Sequence, residues 1–315
     1  MRDAFRREID YLRISLTDRC NYRCVYCMPP EGVAKRCHSD MLTLEEIEEI
    51  ARAAVSLGVR KLRVTGGEPL VRRGVADLCR KLGEIPGVED LSLTTNGALL
   101  APLAAELKAA GVGRVNISLD TLDPEKFRTI TRGGELSDCL AGIQAALDCG
   151  MDPVKLNVVL IGGYNDDEIP TLAALSARWV VEVRFIELMP IGHTVPFGPE
   201  AYLPADTVLA RLEGWTAEGG EGVARMFRLR DGGRIGLISP LSCQFCAWCN
   251  RLRLTADGFL KPCLHSREEI PIRGLHGEAL KRAILSAAAA KPADHGPLSD
   301  QCRSASRRDM HRIGG

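Results

Sequence analysis

The sequence predicts an α/β protein whose first ~190 residues form a partial, six-unit β/α barrel. Three observations predict this. Short β-rich runs alternate with amphipathic helical stretches, the signature of parallel βαβ units. There are six such units, whereas a closed barrel takes eight. The residues suited to chemistry gather just after the strands, where the loops of a barrel converge.

The elements follow in order. Apolar, β-branched runs predict strands over 11–16, 61–65, 90–95, 114–119, 155–161 and 181–186. Helices are predicted over 44–57, 71–82, 102–110, 136–149 and 168–178. Thr43 and Glu46 form a capping box for the first helix. Gly58, Gly111 and Gly150 occupy C-cap positions. The pattern changes near Pro199. Gly-rich turns over 213–222 and 231–233 separate β-like runs over 223–229 and 234–238. A last helix is expected over 275–290. This divides the chain into 1–198, 199–290 and 291–315. On composition alone, the polar last segment reads as disordered.

Composition excludes several classes. Lys plus Arg and Asp plus Glu both number 41 in 315 residues. That leaves no global basic field for duplex nucleic acid. Residues 1–10 alternate charges without an apolar core, so no signal peptide is read. No apolar run nears the ~20 residues of a membrane span. A cytoplasmic location is therefore expected. Twelve cysteines in such a chain are metal ligands and buried thiols rather than disulfides. Cys79, Cys139 and Cys149 fall in helical patterns and read as small core residues.

Six cysteines form two tight groups. Cys20, Cys24 and Cys27 follow the first strand with the spacing Cys-x3-Cys-x2-Cys. A 4Fe–4S cluster ordinarily takes four cysteines, so three leave one iron open to bind and reduce a substrate. A structural zinc needs a fourth ligand, and the next candidates are Cys37 and His38. Cys246, Cys249 and Cys263 form the second group. It suits either a zinc, with Cys243 or His265 as fourth ligand, or a second open cluster. The second reading makes 199–290 a C-terminal cluster-binding extension.

The strand-end motifs are Gly66-Gly67-Glu68-Pro69, Thr94-Thr95-Asn96-Gly97, Ser118-Leu119-Asp120 and Met189. The paired glycines suit close backbone approach to a ligand, and Glu68 could accept from an amino group. A plain tight turn is the bland reading. Arg13, Arg63 and Lys155 alternate with apolar residues in strands that are buried on both faces. Arg251 and Arg253, at i and i+2, share one side of an extended chain. Buried cations need partners. Those partners are either acidic neighbours or a polyanionic ligand such as a phosphate chain.

With these residues in view, the chain resembles the radical S-adenosylmethionine superfamily and, more narrowly, its GTP 3′,8-cyclase family of molybdenum cofactor biosynthesis. The resemblance rests on Arg13 with Thr17-Asp18-Arg19-Cys20-Asn21, the first triad, 66–69, and Cys246-x2-Cys249-x13-Cys263 around Asn250-Arg251-Leu252-Arg253. The terminal Gly314-Gly315 completes it. It implies that each triad holds a 4Fe–4S cluster and that Tyr26, Gly67, Ser118 and Met189 bind S-adenosylmethionine. Arg13, Arg63, Thr94, Lys155, Arg251 and Arg253 are implied to bind GTP, and Gly314 and Gly315 to act catalytically by reaching into the site. The implied reaction makes a 5′-deoxyadenosyl radical that takes hydrogen from ribose C3′, which then adds to guanine C8. Under the resemblance the tail is ordered, against its composition. The implied partners are GTP, an external electron donor and the next enzyme of the pathway, without nucleic acid or membrane. A homodimer is one compatible assembly. Cys37, Cys243 and Cys302 have no implied role. Two other readings are a peptide-modifying radical enzyme, which needs no cation set, and a zinc scaffold, which predicts colourless protein.

Overall fold

The computed structural model describes residues 1–32, 40–192, 197–299 and 301–314. Cys37, His38 and Gly315 lie outside the described residues. Strands β1 (Tyr11–Ser15), β2 (Lys61–Thr65), β3 (Asp90–Thr95), β4 (Arg114–Ser118), β5 (Val154–Leu160) and β6 (Glu182–Glu187) lie side by side in chain order. Each pairs in parallel with the next. This is the partial β/α barrel that the six-fold rhythm predicts.

The C-terminal region completes the sheet at both edges. It supplies β7 (Trp215–Glu221), β8 (Ala224–Leu229), β9 (Arg234–Ile238), β10 (Arg251–Leu254), β11 (Phe259–Lys261) and β12 (Ile270–Pro271). The order across the sheet is β12-β11-β10-β1-β2-β3-β4-β5-β6-β9-β8-β7. Strand β10 joins β1 in parallel, and β9 joins β6 in parallel.

Helices α1 (Leu44–Ser56), α2 (Val75–Gly83), α3 (Ala104–Ala109), α4 (Pro124–Thr131), α5 (Leu136–Asp148) and α6 (Ile169–Arg178) connect the barrel strands. Helices α7 (Thr207–Ala210), α8 (Gly277–Ala289) and α9 (Met310–Ile313) follow. Helix α1 opens with the capping box of Thr43 and Glu46. It buries Ile47, Ile50, Ala51 and Ala54, the i, i+3, i+4, i+7 stripe that faces a core. That stripe, the alternate faces of the strands and the inner side of α8 form one hydrophobic core. Among the described residues, no helix is long and apolar enough to cross a membrane.

Of the elements that differ from the sequence expectation, three have a plain physical cause. The helix expected from residue 71 begins at Val75, because Gly74 is left-handed at φ +82° and breaks the run after the 3-10 turn Pro69–Val71. Helix α4 has no counterpart among the predicted helices. Asp123 caps it by accepting from the Glu125 and Lys126 N–H groups, with Pro124 in its first turn. Residues 213–222, read as a Gly-rich turn, contain β7, an exposed edge strand. It pairs antiparallel with β8, and Trp215 packs edge-on against Phe227 with ring centroids 5.3 Å apart. Glycine only weakens a strand, and here the β8 partner outweighs that weakness.

Candidate active site

Register sets the cations in one row. In the parallel pairings Arg13 stands opposite Arg253 on one side and Arg63 on the other. Arg251 stands opposite Tyr11 one rung away. Residues in register on parallel strands point to the same face. Strand pairing alone therefore gathers Arg253, Arg13 and Arg63 over one patch of the barrel interior. The i, i+2 argument for Arg251 and Arg253 holds because both lie on β10.

Two adjoining cavities fill that interior. The first is lined by Cys20, Cys24 and Cys27 together with Tyr26, Gly66, Gly67, Thr94, Asn96, Ser118 and Met189. The second is lined by Cys246, Cys249 and Cys263 together with Arg13, Arg63, Arg251 and Arg253. Asn157, Ile186, Met189 and Met310 line both. The two cavities thus share a wall, with one thiol triad on each and the arginine row on the second. Met310 comes from the tail segment, which therefore forms part of the chamber wall.

The first triad sits on a tightly tied loop. The Cys27 and Met28 N–H groups both donate to the Cys24 carbonyl, at 2.9 and 3.1 Å. The Tyr22 N–H donates to Cys20 Sγ at 3.3 Å, and Asn96 Nδ2 approaches the same sulfur at 3.8 Å. Burial pushes the Cys20 thiol up to about 11 and that of Cys27 up to about 12. Burial, then the charge of Cys27, pushes Cys24 well above the ordinary thiol range. Three crowded thiols of this kind become thiolates only with a positively charged group to hold. Among the described residues, no three His, Cys, Asp or Glu groups converge on a single ion. Three sulfurs on one short loop fit a cluster, in which each cysteine takes a different iron.

Gly66 and Gly67 are required by the protein itself. A Cβ on Gly67 would lie 2.3 Å from the Arg19 carbonyl oxygen, and one on Gly66 2.8 Å from that of Thr17. The two loops touch through backbone, which presses the cysteine loop onto the end of β2. Glu68 is turned away behind them. It accepts from Thr95 Oγ1 at 2.8 Å and from the Asn96 and Leu70 N–H groups at 2.7 and 3.1 Å. Burial pushes its carboxyl up to about 7. It organises the strand-end loops and does not line the cavity. Tyr26 is fixed by donating its hydroxyl to Asp120 Oδ2 at 2.7 Å.

The second cavity stores positive charge. Burial, then the Arg253 guanidinium, pushes Arg13 well below the arginine range. Burial pushes Arg63 down to about 9 and Arg253 down to about 10. Arg251 Nε, Asn116 Oδ1 and Asn157 Oδ1 are buried without a hydrogen-bond partner among the described residues, and so is Thr94 Oγ1 in the first cavity. Orphaned polar atoms beside crowded guanidiniums call for a polyanionic ligand with its own donors and acceptors.

Lys155 stands apart from this wall and lines neither cavity. Its buried Nζ pairs with Glu182 at 3.3 Å and Glu221 at 2.5 Å. Glu182 and Glu221 also hold Arg184, which does line the second cavity. Gly314 is in the chamber region: its carbonyl accepts from Arg253 Nη1 at 2.7 Å. Sequence reasoning missed Arg184, Asn116, Asn157, Lys291 and His295. Arg184 carried the signal already used for Arg13 and Arg63, a cation amid an apolar strand. The two asparagines carried none beyond their place in strands.

Comparison with known proteins agrees with this architecture. Residues 14–175 match the Radical SAM superfamily and residues 181–297 match Molybdenum Cofactor Synthesis C. A GTP 3′,8-cyclase of Alkaliphilus oremlandii is 48% identical over 100% of both chains. One from Peptoclostridium acidaminophilum is 50% identical over 99% of this chain and 98% of its own. Among solved structures, Streptococcus suis SuiB superposes with a TM-score of 0.62 at 14% identity, covering 91% of this chain and 67% of that one. Native anSMEcpe with bound AdoMet gives 0.60 at 14% identity, covering 96% and 93%. At that identity the two structures show the fold alone.

Proposed function

This chain belongs to the radical S-adenosylmethionine superfamily and, within it, to the GTP 3′,8-cyclase family, and from that membership we propose that it converts GTP to 3′,8-cyclo-7,8-dihydro-GTP in molybdenum cofactor biosynthesis. The observation that carries this reading is the pair of adjoining cavities, each lined by a thiol triad, with the arginine row in the second. The cofactors are two 4Fe–4S clusters and S-adenosylmethionine. Cys20, Cys24 and Cys27 would hold the first cluster, and Cys246, Cys249 and Cys263 the second. Bound there, these groups supply a 5′-deoxyadenosyl radical whose chemistry at ribose C3′ joins that carbon to guanine C8.

The chain's own residues bind, orient and enclose. Tyr26, Gly67, Ser118 and Met189 shape the S-adenosylmethionine end, with Tyr26 immobilised by Asp120. Arg13, Arg63, Arg251 and Arg253 present guanidinium forks to the triphosphate, whose charge relieves their mutual repulsion. Thr94 offers its hydroxyl, unpartnered among the described residues, at the first-cavity end. Lys155 acts on the triphosphate from behind, through the carboxylates it shares with Arg184. The segments 1–198, 199–290 and 291–315 divide the work into barrel, second-cluster support and closure. An external one-electron donor, a cytoplasmic location and transfer of product to the next enzyme of the pathway complete the proposal.

The test is anaerobic reconstitution with iron and sulfide, then dithionite, S-adenosylmethionine and GTP. About eight irons per chain and 5′-deoxyadenosine formed only with GTP are expected. Cleavage indifferent to GTP would leave a radical enzyme of different substrate. Zinc in place of iron would end the reading.

Closure is tested at Gly314, with Gly315 beyond the described residues. Gly314 has φ +79°, and a Cβ there would lie 2.5 Å from Thr65 Oγ1 and 3.0 Å from Ser15 Cβ. Gly314→Ala must therefore move the tail and break the Arg253 contact. Hydrogen bonds to charged groups contribute roughly 1.5–3 kcal/mol, so cyclisation should fall about 10- to 100-fold. Iron content should be unchanged. Unaltered turnover by Gly314→Ala would remove the tail from the machinery.

A further inference from the structure

The second triad is surrounded by two buried cations that the GTP reading does not use. Lys291 lies two residues past α8 with its side chain buried. Its Nζ donates to the Arg251 carbonyl and the Pro262 carbonyl, each at 2.9 Å. Arg251 is two residues after Cys249, and Pro262 immediately precedes Cys263. One ammonium thus ties together the two segments that carry the triad. Held on the Arg251 carbonyl two residues past Cys249, the ammonium places a positive charge beside that cysteine. No carboxylate pairs with Lys291 among the described residues.

Arg7 makes a second tie from the N-terminus. Its Nη1 donates to the Cys246 carbonyl at 2.7 Å and the Ala293 carbonyl at 3.0 Å, and its Nη2 to the Pro292 carbonyl at 2.5 Å. Asp3, fully buried, holds the same guanidinium at Nε. His295 lines the second cavity together with Cys246. The stretch from Lys291 to His295 therefore wraps the triad, and Arg7 fastens the wrap to the Cys246–Trp248 turn.

Resting on the two-cluster reading, we propose that Lys291, fastened by Arg7, is the positioning residue that presets the second cysteine triad for its cluster and supplies the positive charge beside Cys249. The geometry gives two reasons. Flexible loops would have to be ordered at the moment of loading, and tying them through backbone carbonyls removes that entropy beforehand. A buried ammonium without a carboxylate is costly, and a thiolate-ligated cluster offers the anion that offsets it. Charge and hydrogen bonds at cluster sulfurs also set the reduction potential, so Lys291 should hold the second cluster at a less negative potential.

The experiment reconstitutes Lys291→Met and Lys291→Arg beside the wild-type protein. Lys291→Met should take up about half the wild-type iron, while the first cluster keeps its EPR change on addition of S-adenosylmethionine. If it loads fully, the midpoint potential of its second cluster should move to a more negative value. Lys291→Arg, which keeps charge and donors, should recover most of the iron. Full iron in Lys291→Met with an unmoved potential overturns the proposal. Should Lys291→Met lose both clusters through misfolding, Arg7→Gln decides. Slower iron uptake at the second site alone supports the tie, and uptake equal to wild type overturns it. A wild-type protein that loads only about four irons would instead refute the two-cluster reading.

Discussion

Cys24→Ser abolishes 5′-deoxyadenosine formation, because among the described residues no neighbouring group can replace the lost sulfur. Cys24 is the middle member of the first triad, and its carbonyl organises the turn that carries Cys27. The loop has little freedom to recruit a substitute. Arg23 Nη1 ties the Cys20 carbonyl at 2.7 Å, and Arg132 Nη1 ties the Met28 carbonyl at 2.8 Å. The glycines of 66–67 press the same loop against β2. Serine keeps the shape but offers an alcohol, which does not ionise near neutral pH as a metal-bound thiol does. Two of three ligands then remain. The expected iron content is about half the wild-type value, all of it in the second triad, with no 5′-deoxyadenosine above background. Cys246→Ser is the mirror case. It should retain the first cluster and cleave S-adenosylmethionine without cyclising GTP. Measurable 5′-deoxyadenosine from Cys24→Ser would place the radical site elsewhere.

The contrast between these variants shows what was legible in the sequence. The barrel strands were readable because each is a short apolar run with β-branched residues, and all six keep both ends to within one residue of expectation. The triads were readable because metal ligands must be close in the chain to be recognised as a set. Other features were hidden for physical reasons. Helix α4 is only eight residues long, and its Asp123-Pro124 start reads equally as a turn. Strand β7 is exposed, so it carries no alternation of apolar residues. Lys155 looks like Arg13 in sequence, and only the fold shows it paired with Glu182 and Glu221. The tail has the composition of a disordered segment. Its order comes from single contacts, such as Arg253 with Gly314 and Arg308 with Asp257 and Glu269. Contacts between residues so distant in the chain leave no local pattern.

Arg251→Ala combined with Arg253→Ala should abolish GTP cyclisation while leaving both clusters assembled. Truncating one partner of a buried charge pair costs about 2–5 kcal/mol. Loss of both guanidiniums should therefore lower turnover at least about 1,000-fold, and GTP binding should fall with it. The same variant separates a binding role from a structural one, because the two make opposite predictions for stability. In the empty protein Arg253 is buried beside Arg251 and Arg13. Burial, then Arg251, lowers its folded pKa from the ordinary arginine range to about 10. A base with a depressed folded pKa binds protons less well folded than unfolded. Below the folded pKa it is charged in both states and its penalty is fully present. The penalty, on the order of 3 kcal/mol at 1.36 kcal/mol per unit, is relieved only as pH rises from about 10 toward the ordinary arginine range. At pH 7 removal of the charge should thus offset the lost contact to Gly314. The melting temperature of the empty protein should hold or rise. GTP should stabilise the wild-type protein through mass action and leave the double variant unmoved. A variant that melts earlier and still gains stability from GTP would make these arginines structural, and the triphosphate would have to be sought at another wall of the chamber.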